Sequence, residues 1–333
     1  MTIPYLPAGH MSCLVDSNHP WVSAWIYSMS LTSSDQTPVQ ALARPDWRAA
    51  LTLIKPVTWF PPMWAYLCGI ASVSVPLSDV WLLALLGAFL AGPLVCGMSQ
   101  AANDWCDRFV DAVNEPNRPI PSGRIPGRWG LYIALGMTVL SLLVGMLLGP
   151  WGFGATVLGV LAAWAYSVEP IRLKKSGWWG PLLVGLSYEG LPWITGVVVV
   201  AQGAPSLPVV AVAPLYALGA FGIMTLHDFK ALEGDRLHGV RSLPVVLGPA
   251  RAAKLAAAVM ALAQIAVAAL LMRWDLDLYA IAIAALTMAQ IFAMRVLLRD
   301  PKGRAPWYNA VGVSMYVTGM MIAAFGLRSL GGL

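Results

Sequence analysis

The sequence predicts an all-α, polytopic membrane protein with nine transmembrane helices, and three observations carry that expectation. Of 333 residues, 58% are hydrophobic and 11% charged, against about 25% charged in an ordinary soluble domain; mean hydropathy is +0.69. From Asp46 onward the chain runs in apolar segments long enough to cross about 30 Å of hydrocarbon at about 1.5 Å per residue. The loops between those segments alternate between basic and uncharged, the pattern that sets orientation in a bilayer.

Residues 1–45 come first and stand apart. They mix Pro, Ser, Thr and Asp with one apolar patch, 21–31, too short to span a membrane. They read as a cytoplasmic N-terminal tail with the composition of a disordered or partner-binding segment. Residues 1–20 lack a basic region followed by an apolar core, so no cleavable signal peptide is expected. The membrane domain is expected over 46–333. Its nine spans fall near 53–75, 79–102, 129–149, 152–168, 180–201, 207–227, 251–272, 277–298 and 307–328.

Between the second and third spans lie Arg108, Arg118, Arg124 and Arg128; between the fourth and fifth, Arg172, Lys174 and Lys175; between the sixth and seventh, Lys230, Arg236, Arg241 and Arg251. Arg295, Arg299, Lys302 and Arg304 flank the loop between the eighth and ninth. The opposite loops near Pro76, Pro150 and Pro205 carry no lysine or arginine, and that between the seventh and eighth has only Arg273. The N-terminus and the loops after even-numbered spans are therefore expected to be cytoplasmic, and the C-terminus to be on the far, periplasmic side of an inner membrane. This dispersed basic charge is not a nucleic-acid footprint. Cys13, Cys68, Cys96 and Cys106 form no CxxC pair and read as free thiols.

Two polar stretches interrupt this pattern, each at the cytoplasmic exit of a span. In the first, Asp104, Asp107 and Asp111 stand at i, i+3 and i+7, which places three carboxylates on one helix face. Their mutual repulsion is relieved by cations among them, and hard oxygens in this number suit Mg²⁺. Arg118, Arg124 and Arg128 come next, a complement suited to a phosphate-bearing ligand. In the second, Asp228 and Asp235 are seven apart and would share a face if the helix continues, while Glu233 points elsewhere. The like placement of the two suggests an internal pseudo-repeat with a site between its halves. Facing acid groups holding Mg²⁺ could grip a diphosphate and stabilise negative charge as it departs. An allylic isoprenoid diphosphate would then leave a carbocation, which needs a dry apolar pocket and aromatic faces.

At these residues the chain resembles a known family. Asn103 to Asn114 reads NDxxDxxxDxxN, followed by NRPIPSGRI, and Asp228 onward reads DFKALEGDRxxGxRSLPVVLG. Together they look like the two signature regions of the UbiA superfamily of intramembrane prenyltransferases. Asn114 to Gly123, Asp228 to Asp235, and Ala165-Tyr166-Ser167 ahead of Leu173 to Trp178 are similar to its chlorophyll synthase branch. Trp105-Cys106 and Tyr188 to Trp193 look closest to the bacteriochlorophyll synthases of purple bacteria.

The resemblance implies a nine-helix bundle with cytoplasmic capping loops. It also implies Mg²⁺-dependent esterification of a bacteriochlorophyllide or chlorophyllide propionate by geranylgeranyl or phytyl diphosphate, in a cytoplasmic or intracytoplasmic photosynthetic membrane. Carried onto this chain, Asn103, Asp104, Asp107 and Asp111 form the first Mg²⁺–diphosphate cluster, and Asp228, Glu233 and Asp235 the second. The metal ligands are expected among Asp104, Asp107, Asp111, Asp228 and Asp235. Some family members have an acid where Ala231 stands, which leaves the second cluster fewer groups here. Arg118 and Lys230 lie within the acidic motifs and are favoured diphosphate contacts; Arg172, Lys174, Lys175 and Arg241 are further candidates.

An acceptor carboxylate is already a nucleophile at neutral pH and requires no strong base, which fits a chain with four histidines and no Ser/His/Asp pattern. Tyr166, Tyr188, Trp193 and His227 are candidate pocket residues, each with an alternative role in the interfacial belt or in a structural hydrogen bond. Glu189 lies near the middle of the fifth span, where an ionisable group is costly and usually functional. It either recognises polar groups or the central magnesium of the macrocycle, or makes a buried structural hydrogen bond. Competing readings are a quinone-precursor or haem prenyltransferase, a transporter or channel with acidic rings, and a structural partner in a pigment-assembly complex.

Overall fold

The computed structural model describes residues 44–237 and 239–331, so the expected tail, but for its last two residues, lies outside the described residues, as does Cys13. Where the chain becomes describable it is helical throughout: α1 (Trp47–Leu53), α2 (Phe60–Ala71), α3 (Leu77–Phe89), α4 (Gly97–Asn114), α5 (Trp129–Leu147) and α6 (Gly149–Ser167). Next come α7 (Trp179–Gly185), α8 (Leu191–Ala201), α9 (Leu207–His227), the short α10 (Leu232–Leu237) and α11 (Leu243–Leu247), and the long α12 (Pro249–Arg273), α13 (Asp277–Arg299) and α14 (Pro301–Ser329).

Among the described residues seven helices are long and apolar enough to cross a membrane: Leu77–Asn114, Trp129–Leu147, Trp179–Ala201, Leu207–Leu237, Pro249–Arg273, Asp277–Arg299 and Pro301–Ser329. The chain is thus a multi-pass membrane protein, and two of the nine expected spans are not among these seven. The first expected span, 53–75, is broken. Lys55 takes a left-handed backbone ahead of Pro56, a 3₁₀ turn spans Pro56–Thr58, and α2 has only 12 residues. A residue before proline is steered away from the α region, and 12 residues rise only about 18 Å. The fourth expected span is the helix Gly149–Ser167, whose glycines, proline, tryptophans and tyrosine leave it less apolar than the seven. The second span is longer than expected, because the acidic stretch continues the same helical rod to Asn114.

Two long rods change pitch part-way. Leu90–Cys96, between α3 and α4, and Leu186–Gly190, between α7 and α8, are π turns. Pro93 lies inside the first and Pro192 just after the second; each lacks the N–H that a regular helix would use there.

Helix α2 packs against α8, and the closeness depends on two glycines. A Cβ at Gly69 would stand 2.1 Å from the carbonyl oxygen of Trp193, and one at Gly196 2.3 Å from that of Tyr66. Small residues at such crossings let backbones approach where lipid supplies no hydrophobic drive. The ring closes when α14 returns to α2. Trp64 donates its indole N–H to the carbonyl of Val317 at 2.8 Å, and the Arg328 guanidinium donates to the carbonyls of Val73 and Val75. Between them Trp193 is fully buried, stacked on Tyr216 at 5.6 Å and donating to Ser72 Oγ. The expected place of Trp193 in the pocket is corrected: it is a core residue instead. The outward faces carry exposed Leu82, Leu85, Leu143, Leu161, Ile281 and Phe292, the apolar surface that lipid covers.

Gly69→Val should lower the thermal midpoint of the detergent-solubilised protein by overpacking worth about 1–3 kcal/mol. Gly136→Ala, where a Cβ meets nothing within 4 Å, should leave the midpoint unchanged; equal midpoints for both variants would contradict the α2–α8 contact.

Candidate active site

The polar face of α4 is where chemistry concentrates. Asn103, Asp104, Asp107 and Asp111 emerge along it, as their spacing dictates, and cations from three separate loops meet them. Asp104, 1% exposed, accepts from Lys55 Nζ at 2.6 Å and from Arg118 Nη1 at 3.4 Å. The same Arg118 Nη1 donates to Asp111 Oδ2 at 2.8 Å, and its Nη2 to Glu115 at 3.2 Å. Asp107 is gripped on both oxygens, by Arg172 Nη2 at 2.7 Å and by Lys174 Nζ. Lys174 also donates to Asn103 Oδ1 at 2.9 Å.

Two of these cations are supplied by strained backbone. Lys55 has φ 46° and Arg172 φ 34°, a left-handed conformation uncommon for residues other than glycine and concentrated at functional sites. Burial pushes the Lys174 ammonium below its ordinary value while Asp107 pulls it back up. Lys175, an expected diphosphate contact, is turned to the rim. It pairs with Glu169 at 2.6 Å, and hydrogen bonds from Arg172 and Lys175 hold the Glu169 carboxyl below its usual range.

Among the described residues no three of Asp, Glu, His and Cys are gathered as a ready-made ligand set; lysine and arginine stand between the carboxylates. The donor chemistry nonetheless fits a hard cation such as Mg²⁺. Asp104 Oδ2 is buried at the centre of the cluster without a hydrogen-bond partner, a free acceptor oxygen of the kind such ions take.

The second acidic stretch lies opposite. Its helix does not continue: Asp228–Ala231 is a 3₁₀ turn, after which α10 begins. Tyr166, on α6, stands within electrostatic reach of Asp107, Asp228 and Asp235 together, so acids of both stretches lie near one side chain. Glu233 does not join them. It points outward and pairs with Lys302, because the turn directs it to solvent; its expected place in the second cluster is corrected. Arg241 has an exposed side chain and acts through its backbone. Gly177 donates to its carbonyl and its N–H reaches the carbonyl of Lys175, which ties together the two loops that cap the bundle.

Beside Asn103 and Lys230, which belong to the two acidic stretches, opens a cavity of about 550 Å³, a size suited to a small-molecule ligand. Its mouth is marked by Asn103, Tyr166, His227 and Lys230, and its walls are largely apolar, with Val57, Phe60, Val95, Ile223 and Val317 among them. Both π turns border it, the first through Ala91 and Cys96, the second through Tyr188 and Glu189. The Tyr188 hydroxyl accepts from Gln100 Nε2 at 3.1 Å and meets Cys96 Sγ at 3.3 Å. Glu189 is buried.

Sequence reasoning missed Lys55 and Gln100. Lys55 carried no signal, being one lysine in a stretch that reads as a span. Gln100 and Ser99 did carry one, since they extend the polar face of Asn103 by one turn toward the membrane.

A family model described as the UbiA prenyltransferase family matches residues 58–320. Over 286 residues the chain is 72% identical to the bacteriochlorophyll synthase 33 kDa chain of Cereibacter sphaeroides, covering 86% of this chain and 95% of that one. The Rhodobacter capsulatus bacteriochlorophyll synthase 33 kDa chain is 64% identical over 287 residues, 85% and 94% of the two chains. The chloroplastic chlorophyll synthase of Arabidopsis thaliana is 36% identical over 291 residues, 84% and 74%. Among solved structures, a UbiA homologue from Archaeoglobus fulgidus bound to DMAPP and Mg²⁺ superposes with a TM-score of 0.66 at 19% identity, covering 84% of this chain and 99% of that one.

Adding Mg²⁺ to the purified protein should raise its thermal midpoint by linkage, about 2–4 °C for each kcal/mol of binding free energy. Asp104→Ala should abolish the rise and Glu233→Ala should preserve it. A rise that survives Asp104→Ala would move the metal elsewhere.

Proposed function

The chain belongs to the UbiA prenyltransferase family, and from that premise we propose that it esterifies the propionate carboxylate of bacteriochlorophyllide a with geranylgeranyl or phytyl diphosphate, releasing diphosphate. The observation that carries the reaction class is the meeting of acids and cations at the mouth of a largely apolar cavity. The pigment is supported by the 72% identity to a bacteriochlorophyll synthase over nearly its whole length.

Each part of the site has a role in this reading. Asp104, Asp107, Asp111, Asp228 and Asp235 would hold Mg²⁺, which supplies positive charge against the negative charge developing on the departing diphosphate. Arg118, Lys55, Arg172 and Lys174 add fixed positive charge beside it, with Lys230 reaching from the opposite rim. Asn103 orients Lys174. The apolar walls exclude water from the allylic cation that remains, and Tyr166 and Tyr188 offer it aromatic faces. The acceptor carboxylate attacks that carbon directly, its ionised oxygen forming the ester bond, so no side chain has to remove a proton.

The distribution of basic loops supports an inner-membrane orientation with the acid clusters and the tail of residues 1–45 cytoplasmic and the C-terminus periplasmic. In this arrangement α2 and α6 complete nine membrane helices within the domain of residues 46–333, and the capping loops lie on the cytoplasmic side.

Membranes containing the protein, given Mg²⁺, geranylgeranyl diphosphate and equal amounts of chlorophyllide a and bacteriochlorophyllide a, should yield esterified bacteriochlorophyllide by chromatography, and none with EDTA. Ester of chlorophyllide alone would move the chain to the plant-type activity. No ester from either pigment, with folded protein present, would overturn the reading.

A further inference from the structure

Among the described residues, Glu189 is the one buried acid that the cation cluster does not account for. It sits in the π turn Leu186–Gly190, borders the cavity, and is only 3% exposed. Its Oε2 is buried without a hydrogen-bond partner, and among the described residues no lysine, arginine or histidine forms an ion pair with it. Its electrostatic neighbours Cys68 and Tyr316 are neutral, and the cavity it borders is largely apolar, with Val313, Val317, Ala220 and Ile223 on its wall. A carboxylate there would be an uncompensated charge in an apolar setting. The un-ionised acid instead carries one O–H donor, and a buried donor left without an acceptor is costly. Among the described residues no partner lies within hydrogen-bond distance of Oε2, and the cavity that Glu189 borders leaves room for a ligand that offers an acceptor.

The depth of Glu189 narrows which ligand. Glu189 lies ten residues, about 15 Å, along the membrane helix that begins at Trp179, and so stands on the cavity wall deep within the bundle. The hydrocarbon tail of a prenyl donor has nothing there for an O–H to address. A tetrapyrrole acceptor does, since it bears conjugated carbonyl oxygens on its rim. Resting on the activity proposed above, we infer that Glu189 donates a hydrogen bond to a peripheral carbonyl of the pigment and so holds the macrocycle with its propionate directed toward the acid cluster. Glu189 is thus an acceptor-recognition residue, separate from the donor's diphosphate machinery. The π turn carries it on the cavity wall.

The test uses the full-length protein in detergent with bacteriochlorophyllide a as probe, comparing wild type, Glu189→Gln and Glu189→Leu. In wild type, resonance Raman should show one conjugated carbonyl stretch lowered relative to free pigment in a non-hydrogen-bonding solvent. Glu189→Gln, a weaker donor, should reduce that lowering yet keep binding within a few-fold. Glu189→Leu should abolish it and weaken pigment binding about 10–100-fold, with the KM for geranylgeranyl diphosphate unchanged. A merely structural carboxyl would disturb stability and both substrates alike, without moving the carbonyl band. An identical carbonyl band in wild type and Glu189→Gln overturns the inference even if the leucine variant does not fold. Wild type that esterifies the pigment while the variants bind it normally sinks this inference alone; wild type that forms no ester sinks the activity on which it rests.

Discussion

Carboxylates at the end of an apolar rod repel one another and cannot be left to themselves, and the cap of this protein is organised around that constraint. Asp104, Asp107 and Asp111 lie within two turns of α4, and each meets a cation from a different part of the chain: Lys55 from before α2, Arg118 from after α4, Arg172 and Lys174 from after α6. Long-range electrostatics thereby gather three loops over one helix end. Two of the cations are delivered by left-handed backbone, so the local conformation is subordinate to the charge it must present. Ion pairs of this kind are also exchangeable, since most of the cations remain partly exposed. Side chains that neutralise the acids in one state can turn to an incoming diphosphate in another.

Below the cap the constraint reverses. Polar groups inside the bundle need partners, and the cavity walls are mainly aliphatic. Several of the departures lie in the two π turns and at the inward end of the α4 polar face, where Cys96, Gln100 and Tyr188 satisfy one another and Glu189 Oε2 stays unpartnered. In the proposed reaction the arrangement separates two jobs: charge is handled beside the α4 acids, and the prenyl chain and the acceptor would lie in the cavity, where water would quench a carbocation.

Much of this was legible in the sequence. Membrane class came from composition, the shared face of the three aspartates from their spacing, and the basic loops from simple position. The illegible parts have physical causes. Lys55 reads as an ordinary residue of the first span until Pro56 is seen to break the helix. Glu189 and Trp193 are four apart and would share a face of a regular helix. The π turn ends between them, and Glu189 borders the cavity while Trp193 fills the core. Glu233 was carried into the second cluster by resemblance, and the 3₁₀ turn at Asp228–Ala231 turns it out to Lys302. The strength of a motif in sequence thus does not determine where its last acid points.

The central claim is that the acids of α4 and their cations form the diphosphate site, with the prenyl chain in the cavity below. The most direct measurement is a cryo-electron microscopy structure of the protein with Mg²⁺ and a non-hydrolysable geranylgeranyl thiolodiphosphate. Diphosphate is expected between the α4 acids and Arg118 and Lys174, with the chain descending past Tyr166 and Tyr188. Diphosphate bound elsewhere, with Asp104 still paired to Lys55 and Asp107 to Lys174 at saturation, would contradict the claim.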